Sequence, residues 1–289
     1  MSRREFQGKV AVVTGGGSGL GKACAELLGS QGKVQTHDAL AVVELIRSRG
    51  GTAVANGNSV LAGDTIIETA IAALGSIDIL INAAVYSPKT GSIVGVNGRD
   101  WDVSKDVQIK GSYKVIKRSA PSSMKGSVEL TVRQRPSTQP GSTLERRDMA
   151  ACFTLAKEGA KKNIFVNVVF PVGGPTDNEA SAAAFVSFLV HERNKTENGG
   201  AYELGGGRVA KLRWQRSGGL LLRADDSLGP EAVIKGWSRV VDFERPEYPS
   251  GPNKFLDLLN VGLKLPVEKY PASISFKDRA VLITGAGSG

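Results

Sequence analysis

Apolar and polar positions follow two rhythms that take turns along the first part of the chain. Lys9-Val-Ala-Val-Val-Thr14 is a short apolar run ending in glycines, the pattern of a strand buried on both faces. Over residues 20–30, Ala23, Leu27 and Leu28 fall at helical spacing, and Gly32 follows as a stop. The alternation then repeats. Residues 33–38 form a second, more polar strand, and residues 39–48 a helix carrying Leu40, Val43, Leu45 and Ile46, closed by Gly50-Gly51. A third strand covers 52–55. A helix over 64–74 has Asp64 at its start and Gly75 past its end, a fourth strand covers 77–81, and 100–118 reads as helix. Strands alternating with helices predict an α/β fold: a Rossmann-like, doubly wound parallel sheet with right-handed crossovers.

Residues 119–147 break this rhythm. Proline, serine and basic residues dominate Pro121-Ser-Ser-Met-Lys-Gly126 and Arg133-Gln-Arg-Pro-Ser-Thr-Gln-Pro-Gly141, which predicts an irregular central segment and reads like out-of-frame sequence between two sensible halves. Periodicity returns as a helix over 149–161, an apolar strand over 163–170, a helix over 180–191 and a short strand over 201–204 before Gly205-Gly206-Gly207. From 208 the chain is basic and then proline-rich. The expected organisation is a Rossmann-like α/β domain over 6–207, a basic C-terminal extension over 208–274, and the start of a second repeat over 275–289. That repeat rests on Phe276-Lys-Asp-Arg-Ala-Val-Leu-Ile-Thr-Gly-Ala-Gly-Ser-Gly289, which echoes Phe6 to Gly19.

Composition narrows the class. The chain is 289 residues long, 41% hydrophobic and 22% charged, enough for a substantial core. No apolar run reaches the roughly 18 residues of a membrane helix, and Met1-Ser-Arg-Arg-Glu-Phe6 lacks the apolar stretch of a secretory signal. Cys24 and Cys152 form no CxxC motif, which suggests a reducing compartment; with only His37 and His191 beside them, no metal site is expected. The formal charge of +9 fits either an ordinary basic protein or attraction to a phosphate-rich substrate. Lys211-Leu-Arg-Trp-Gln-Arg216 interleaves one aromatic with cations. A hairpin face or an interface is the expected setting there, rather than a nucleic-acid patch.

The strongest chemical signal is Thr14-Gly-Gly-Gly-Ser-Gly-Leu-Gly21, placed between a strand and a helix. Glycines allow a tight turn and close approach of a pyrophosphate, and the helix start supplies free N–H groups. Thr14, Gly15, Ser18, Gly19, Leu20 and Gly21 are therefore expected to hold a dinucleotide. Asp38 closes the second strand, where a carboxylate accepts ribose hydroxyls and repels a 2′-phosphate, favouring NAD over NADP. Its alternative role is to cap the following helix.

These residues carry a resemblance to the short-chain dehydrogenase/reductase family. Thr14-Gly-x-x-x-Gly19-x-Gly21 resembles its glycine motif, and Asn82-Ala83-Ala84 its Asn-Asn-Ala-Gly, with Val85 at the final glycine. Ile67-Glu-Thr-Ala-Ile71, Leu155-Ala-Lys-Glu-Gly-Ala-Lys161 and the stretch from Gly205 to Ser217 resemble the dehydrogenase domains of fungal peroxisomal multifunctional β-oxidation enzymes. The likeness covers roughly 6–118 and 149–289.

The resemblance implies hydride transfer between NAD(H) and a 3-hydroxyacyl- or 3-ketoacyl-CoA-like substrate, an association of two copies, and a cytoplasmic or peroxisomal location. Gly287-Ser288-Gly289 does not match a peroxisomal Ser-Lys-Leu signal. It also implies adenine contacts at Asn58 and Ser59, where relatives carry Asp before Ser-Val, and a nicotinamide-side contact at Thr176.

The family's proton chemistry uses a Tyr-x-x-x-Lys pair and an upstream serine. Counting back from Leu155, that pair falls near Gly141 and Glu145. Ser122, Ser123, Ser127 and Ser137 include none at the end of a recognisable strand, so no catalytic residue is assigned. Tyr113-Lys-Val-Ile-Lys117 matches the spacing but lies too early in the chain, where Tyr113 is expected to be packed and Lys117 solvated. An inactive nucleotide-binding remnant is the alternative function.

Overall fold

The computed structural model describes residues 6–37, 40–86, 95–119, 128–132, 143–172, 179–225, 228–248, 255–268, and 275, 277, 278, 280, 281 and 283. The chain divides into two units, Met1–Leu212 and Arg213–Gly289.

In the first unit the elements run β1 (Val10–Thr14), α1 (Gly19–Gly29), β2 (Lys33–His37), α2 (Leu40–Ser48), β3 (Thr52–Asn56), α3 (Gly63–Leu74) and β4 (Ile79–Asn82). They continue as α4 (Gly98–Lys105), α5 (Ser112–Ser119), β5 (Val128–Val132), α6 (Thr143–Ala160), β6 (Phe165–Pro171), α7 (Glu179–Leu189), β7 (Ala201–Gly205) and β8 (Arg208–Leu212). The sheet has eight strands in the order β3-β2-β1-β4-β5-β6-β7-β8, parallel except for β8. The alternating pattern therefore produces the doubly wound α/β fold that it predicts.

Period-2 alternation divides the sheet between two cores. Ala11, Val13, Ile79, Ile81 and Val169 face one side and pack with Leu28, Val43, Ile46, Val186 and Leu189. Val12, Leu80, Val168 and Phe170 face the other and pack with Ile66, Ile67, Val115, Met149 and Ala156. Both faces of β1 and β4 are thus buried, which accounts for their unbroken apolar runs. Helix α2 turns Val42, Val43 and Ile46 inward, whereas Leu40, expected on its apolar face, is exposed at its start.

Three expectations are corrected. Within the segment read as irregular, 128–132 forms β5, in parallel register with β4 (Ile79↔Val128) and β6 (Val128↔Phe165). Glu129 and Thr131 dilute its apolar signal, and pairing on both sides supplies the order that local pattern lacks. Helix α6 also begins at Thr143, ahead of the expected 149. The helix expected over 100–118 is present as a continuous helical run from α4 to α5 with a π-helical turn, Asp106–Gly111, inside it, and Asn97 caps α4 by accepting from Asp100 N at 2.8 Å.

Residues 208–212, read as the start of an extension, form β8. It pairs antiparallel with β7 through Gly206 (φ +55°) and Gly207 (φ +77°). Two consecutive positive φ values define a type I′ turn, which suits glycine. Across this hairpin, Glu197 accepts from Lys211 Nζ at 2.6 Å and from the Tyr202 hydroxyl. Those two donors, Lys211 first, hold the Glu197 carboxyl below its ordinary value.

In the second unit, α8 (Pro230–Lys235), α9 (Trp237–Val240) and α10 (Phe255–Gly262) are short. Arg216 and Glu247 bridge by backbone hydrogen bonds in both directions. The Arg213 guanidinium lies 3.7 Å from the Tyr248 ring centroid, and Arg223 donates to Leu263 O at 2.8 Å and Leu265 O at 2.6 Å.

Two outcomes follow from this packing. Leu80→Ala, which empties a fully buried central-strand position, lowers unfolding free energy by about 2–5 kcal/mol in a denaturant titration. Glu197 titrates lower in the folded chain than in the unfolded chain, so its contribution is present above the ordinary carboxylate range. It is lost as pH falls through the depressed value. Glu197→Gln should therefore flatten the acid limb of a stability–pH curve, and an unchanged limb would remove this cluster from the account.

Candidate functional site

Strand order reverses between β1 and β4: β1 pairs with β2 on one side and β4 on the other. In a parallel α/β sheet, the crevice beyond the strand ends at such a point is where ligands bind. Thr14 ends β1 in register with Asn82 at the end of β4, so the glycine loop and Asn82-Ala83-Ala84 emerge side by side. They are stitched together: Ala83 N donates to Thr14 O at 3.2 Å, and Ala84 N donates to Thr14 Oγ1 at 3.3 Å.

The glycines of the loop do different things. Gly15 has φ +66°, and a Cβ there would lie 2.7 Å from both Ala83 O and Ala84 N. A Cβ on Gly21 would lie 2.4 Å from Gly15 O. These two are glycine because backbone packs on backbone. Gly19 opens α1 with φ +55°; among the described residues, only Glu179 Oε1, at 3.6 Å, comes within 4 Å of a Cβ built there. Among the described residues little else crowds the start of α1, and its first N–H groups have no partner within the helix. Ser18 precedes them, exposed, and makes no side-chain cap hydrogen bond. Leu20 and Gly21 are buried beneath. This arrangement fits the pyrophosphate of a dinucleotide.

At the other side of β1, His37 ends β2 in register with Asn56 at the end of β3. Asn56 Oδ1 accepts from Asn58 N at 2.9 Å and from Asn58 Nδ2 at 3.2 Å. The Asn58 amide nitrogen is thereby engaged inward, and its Oδ1 remains the group with which this exposed side chain accepts a hydrogen bond. Ser59 Oγ accepts from Leu61 N at 3.3 Å, starting the short turn into α3, and Lys114 Nζ donates to Leu61 O at 2.7 Å. Asp38 and Thr176 lie outside the described residues.

Beyond Ala84 the chain passes half-buried Val85 to Tyr86. The Tyr86 hydroxyl donates to Asp100 Oδ1 at 2.6 Å, and Gln108 Nε2 donates to Tyr86 O at 2.7 Å from inside the π-helical turn. The bond to Asp100 raises the Tyr86 phenol above its ordinary value, so it holds its proton more tightly than a free phenol. This cluster fixes the exit from β4. Sequence reasoning passed over it because three single residues on separate elements make no motif.

Gly141, where the resemblance puts the family's tyrosine, lies outside the described residues. Strand β5 ends at Val132 and is followed by Arg133-Gln-Arg-Pro136, with no serine before Ser137. Glu145 stands in the first turn of α6 where the resemblance calls for lysine. Tyr113 corrects an expectation: it is 58% exposed on α5 rather than packed, because Ser112, Val115 and Ser119 form the inward face. The Lys117 ammonium lies 5.8 Å from the centre of its ring.

Comparison with known proteins defines the class. The pattern of the short chain dehydrogenase family matches residues 9–129. The peroxisomal hydratase-dehydrogenase-epimerase of Neurospora crassa is 39% identical over 320 aligned positions, covering 98% of this chain and 36% of that protein. Peroxisomal multifunctional enzyme A of Dictyostelium discoideum is 31% identical, covering 92% of this chain and 67% of that protein. The solved structure of full-length peroxisomal multifunctional enzyme type 2 from Drosophila melanogaster superposes with a TM-score of 0.76 at 30% identity, over 90% of this chain and 50% of that one.

The chain belongs to the short-chain dehydrogenase/reductase family, a family of oxidoreductases that bind a nicotinamide cofactor. It spans just over a third of the length of the Neurospora relative. The family match runs on to residue 129, so the likeness does not stop at 118 as the sequence suggested.

Gly15→Ala would force a Cβ into the Ala83–Ala84 backbone at a positive φ, so it should cost stability and cofactor affinity together. A variant that melts and binds NADH like the parent would show that this contact does not hold the loop.

Proposed function

We propose that this chain is an NAD-dependent oxidoreductase that moves a hydride between NAD(H) and a 3-hydroxyacyl- or 3-ketoacyl-CoA-like substrate. One observation carries the cofactor half: the loop from Thr14 to Gly21 is held against Ala83 and Ala84, while at Gly19 a Cβ would meet, among the described residues, only Glu179. In this reading the N–H groups of Gly19, Leu20 and Gly21 hold the pyrophosphate, with Thr14, Gly15 and Ser18 shaping the turn. Asp38 accepts the adenosine ribose hydroxyls and disfavours NADP. Asn58 Oδ1 accepts from the adenine amine, and Ser59 lies beside it. Asn82, Ala83, Ala84 and Thr176 border the nicotinamide half. When bound, the nicotinamide supplies or takes up the hydride.

The substrate class rests on the named relatives, and the charge of +9 favours a phosphate-rich acyl carrier over a neutral one. The partners of this reading are that small molecule and a second copy of the chain, with neither nucleic acid nor membrane involved. Among the described residues, no helix is long and apolar enough to cross a membrane. The setting is the cytoplasm or, as in the relatives' names, the peroxisome.

A second reading, a site that binds the dinucleotide without turning it over, is favoured by one specific observation. Gly141 and Glu145 stand where the family's tyrosine and lysine fall, and Arg133 follows β5. A tyrosine with a neighbouring ammonium is what makes a phenolate accessible near neutral pH, and a carboxylate in the lysine's place has the opposite effect.

The test pairs a melting curve with an absorbance assay. NADH at a hundredfold excess over its Kd should stabilise the chain by about 2.7 kcal/mol, and acetoacetyl-CoA should drive its oxidation. Stabilisation without oxidation selects the binding-only reading. No stabilisation at saturating NADH contradicts both.

A further inference from the structure

The space in front of Gly19 is open on every described side but one. There, Glu179 Oε1 stands 3.6 Å from the position of a Cβ on Gly19. Glu179 opens α7, and α7 packs along α1, so the first turn of one helix lies beside the glycine loop of the other. Both sit within the first unit. Glu179 is half-buried, and among the described residues it makes neither a hydrogen bond nor an ion pair. A pyrophosphate approaching the N–H groups of Gly19, Leu20 and Gly21 would therefore meet an uncompensated carboxylate at its edge.

We infer that Glu179 is a specificity-determining residue of the cofactor site, one that opposes the pyrophosphate at the start of α1 and so weakens dinucleotides relative to uncharged nucleosides. The inference rests on the proposed placement of a dinucleotide at this loop. Like charges a few ångströms apart at a half-exposed site repel appreciably, and salt screens that repulsion. The helix start and its N–H groups attract the same phosphates, so the net affinity is the difference between two opposed effects. Glu179 thus acts through its charge on the phosphates.

The experiment is calorimetric titration of the full chain and of Glu179→Gln with NADH, ADP-ribose and adenosine, at low and high salt. Glu179→Ala guards against an effect peculiar to the amide, and melting curves establish that both variants fold. The expected result is NADH and ADP-ribose binding about tenfold tighter in both variants, with adenosine unchanged and the gain shrinking in high salt. Equal NADH affinity in parent and variants would overturn the inference and leave the cofactor placement standing. Weaker binding in the variants would also overturn it, since Glu179 would then be a favourable contact. NADH binding by none of the three proteins would bring down the cofactor placement and the inference with it.

Discussion

The contact on which the rest depends is backbone against backbone: the Gly15 turn pressed onto Ala83 and Ala84. Nothing larger than hydrogen fits at Gly15 or Gly21, and Thr14 ties the two segments through its carbonyl and hydroxyl. This contact closes the crevice between β1 and β4 from below and aims α1 so that its N-terminus looks outward. Without it, the reversal of strand order would still exist, but the N–H groups at the helix start would not be gathered on one opening.

The two buried faces of the sheet supply the rigidity behind that contact. Residues of β1 and β4 alternate between the two cores, so the strand ends that bear Thr14 and Asn82 are fixed from both sides. Function in such a fold sits on the loops, held by a frame that the loops themselves do not stabilise. The glycine loop and Asn82-Ala83-Ala84 have that frame. In the proposed function the reacting half would draw on the stretch between β5 and α6, where the sequence carries Arg133, Gly141 and Glu145.

Much of the frame was legible in the sequence because β1, β4 and β6 are nearly continuous apolar runs and α1, α3 and α7 have helical spacing. The glycine loop was legible as a motif. Its division of labour was not, since only the fold shows that Gly15 and Gly21 serve packing while Gly19 faces the opening. Strand β5 was hidden because its order comes from two neighbouring strands and not from Glu129 or Thr131. The π-helical turn inside the helix over 100–118 was hidden because such a turn has no compositional mark. Glu179 drew no attention in the sequence because residues 19 and 179 meet only through the packing of α7 on α1.

The most direct measurement is hydrogen–deuterium exchange of the full chain with and without NADH. Added NADH is expected to slow exchange at the start of α1, at residues 83–84 and around 57–60. Slowing that avoids the start of α1, or none at all at saturating NADH, would contradict the assignment of this crevice as the cofactor site.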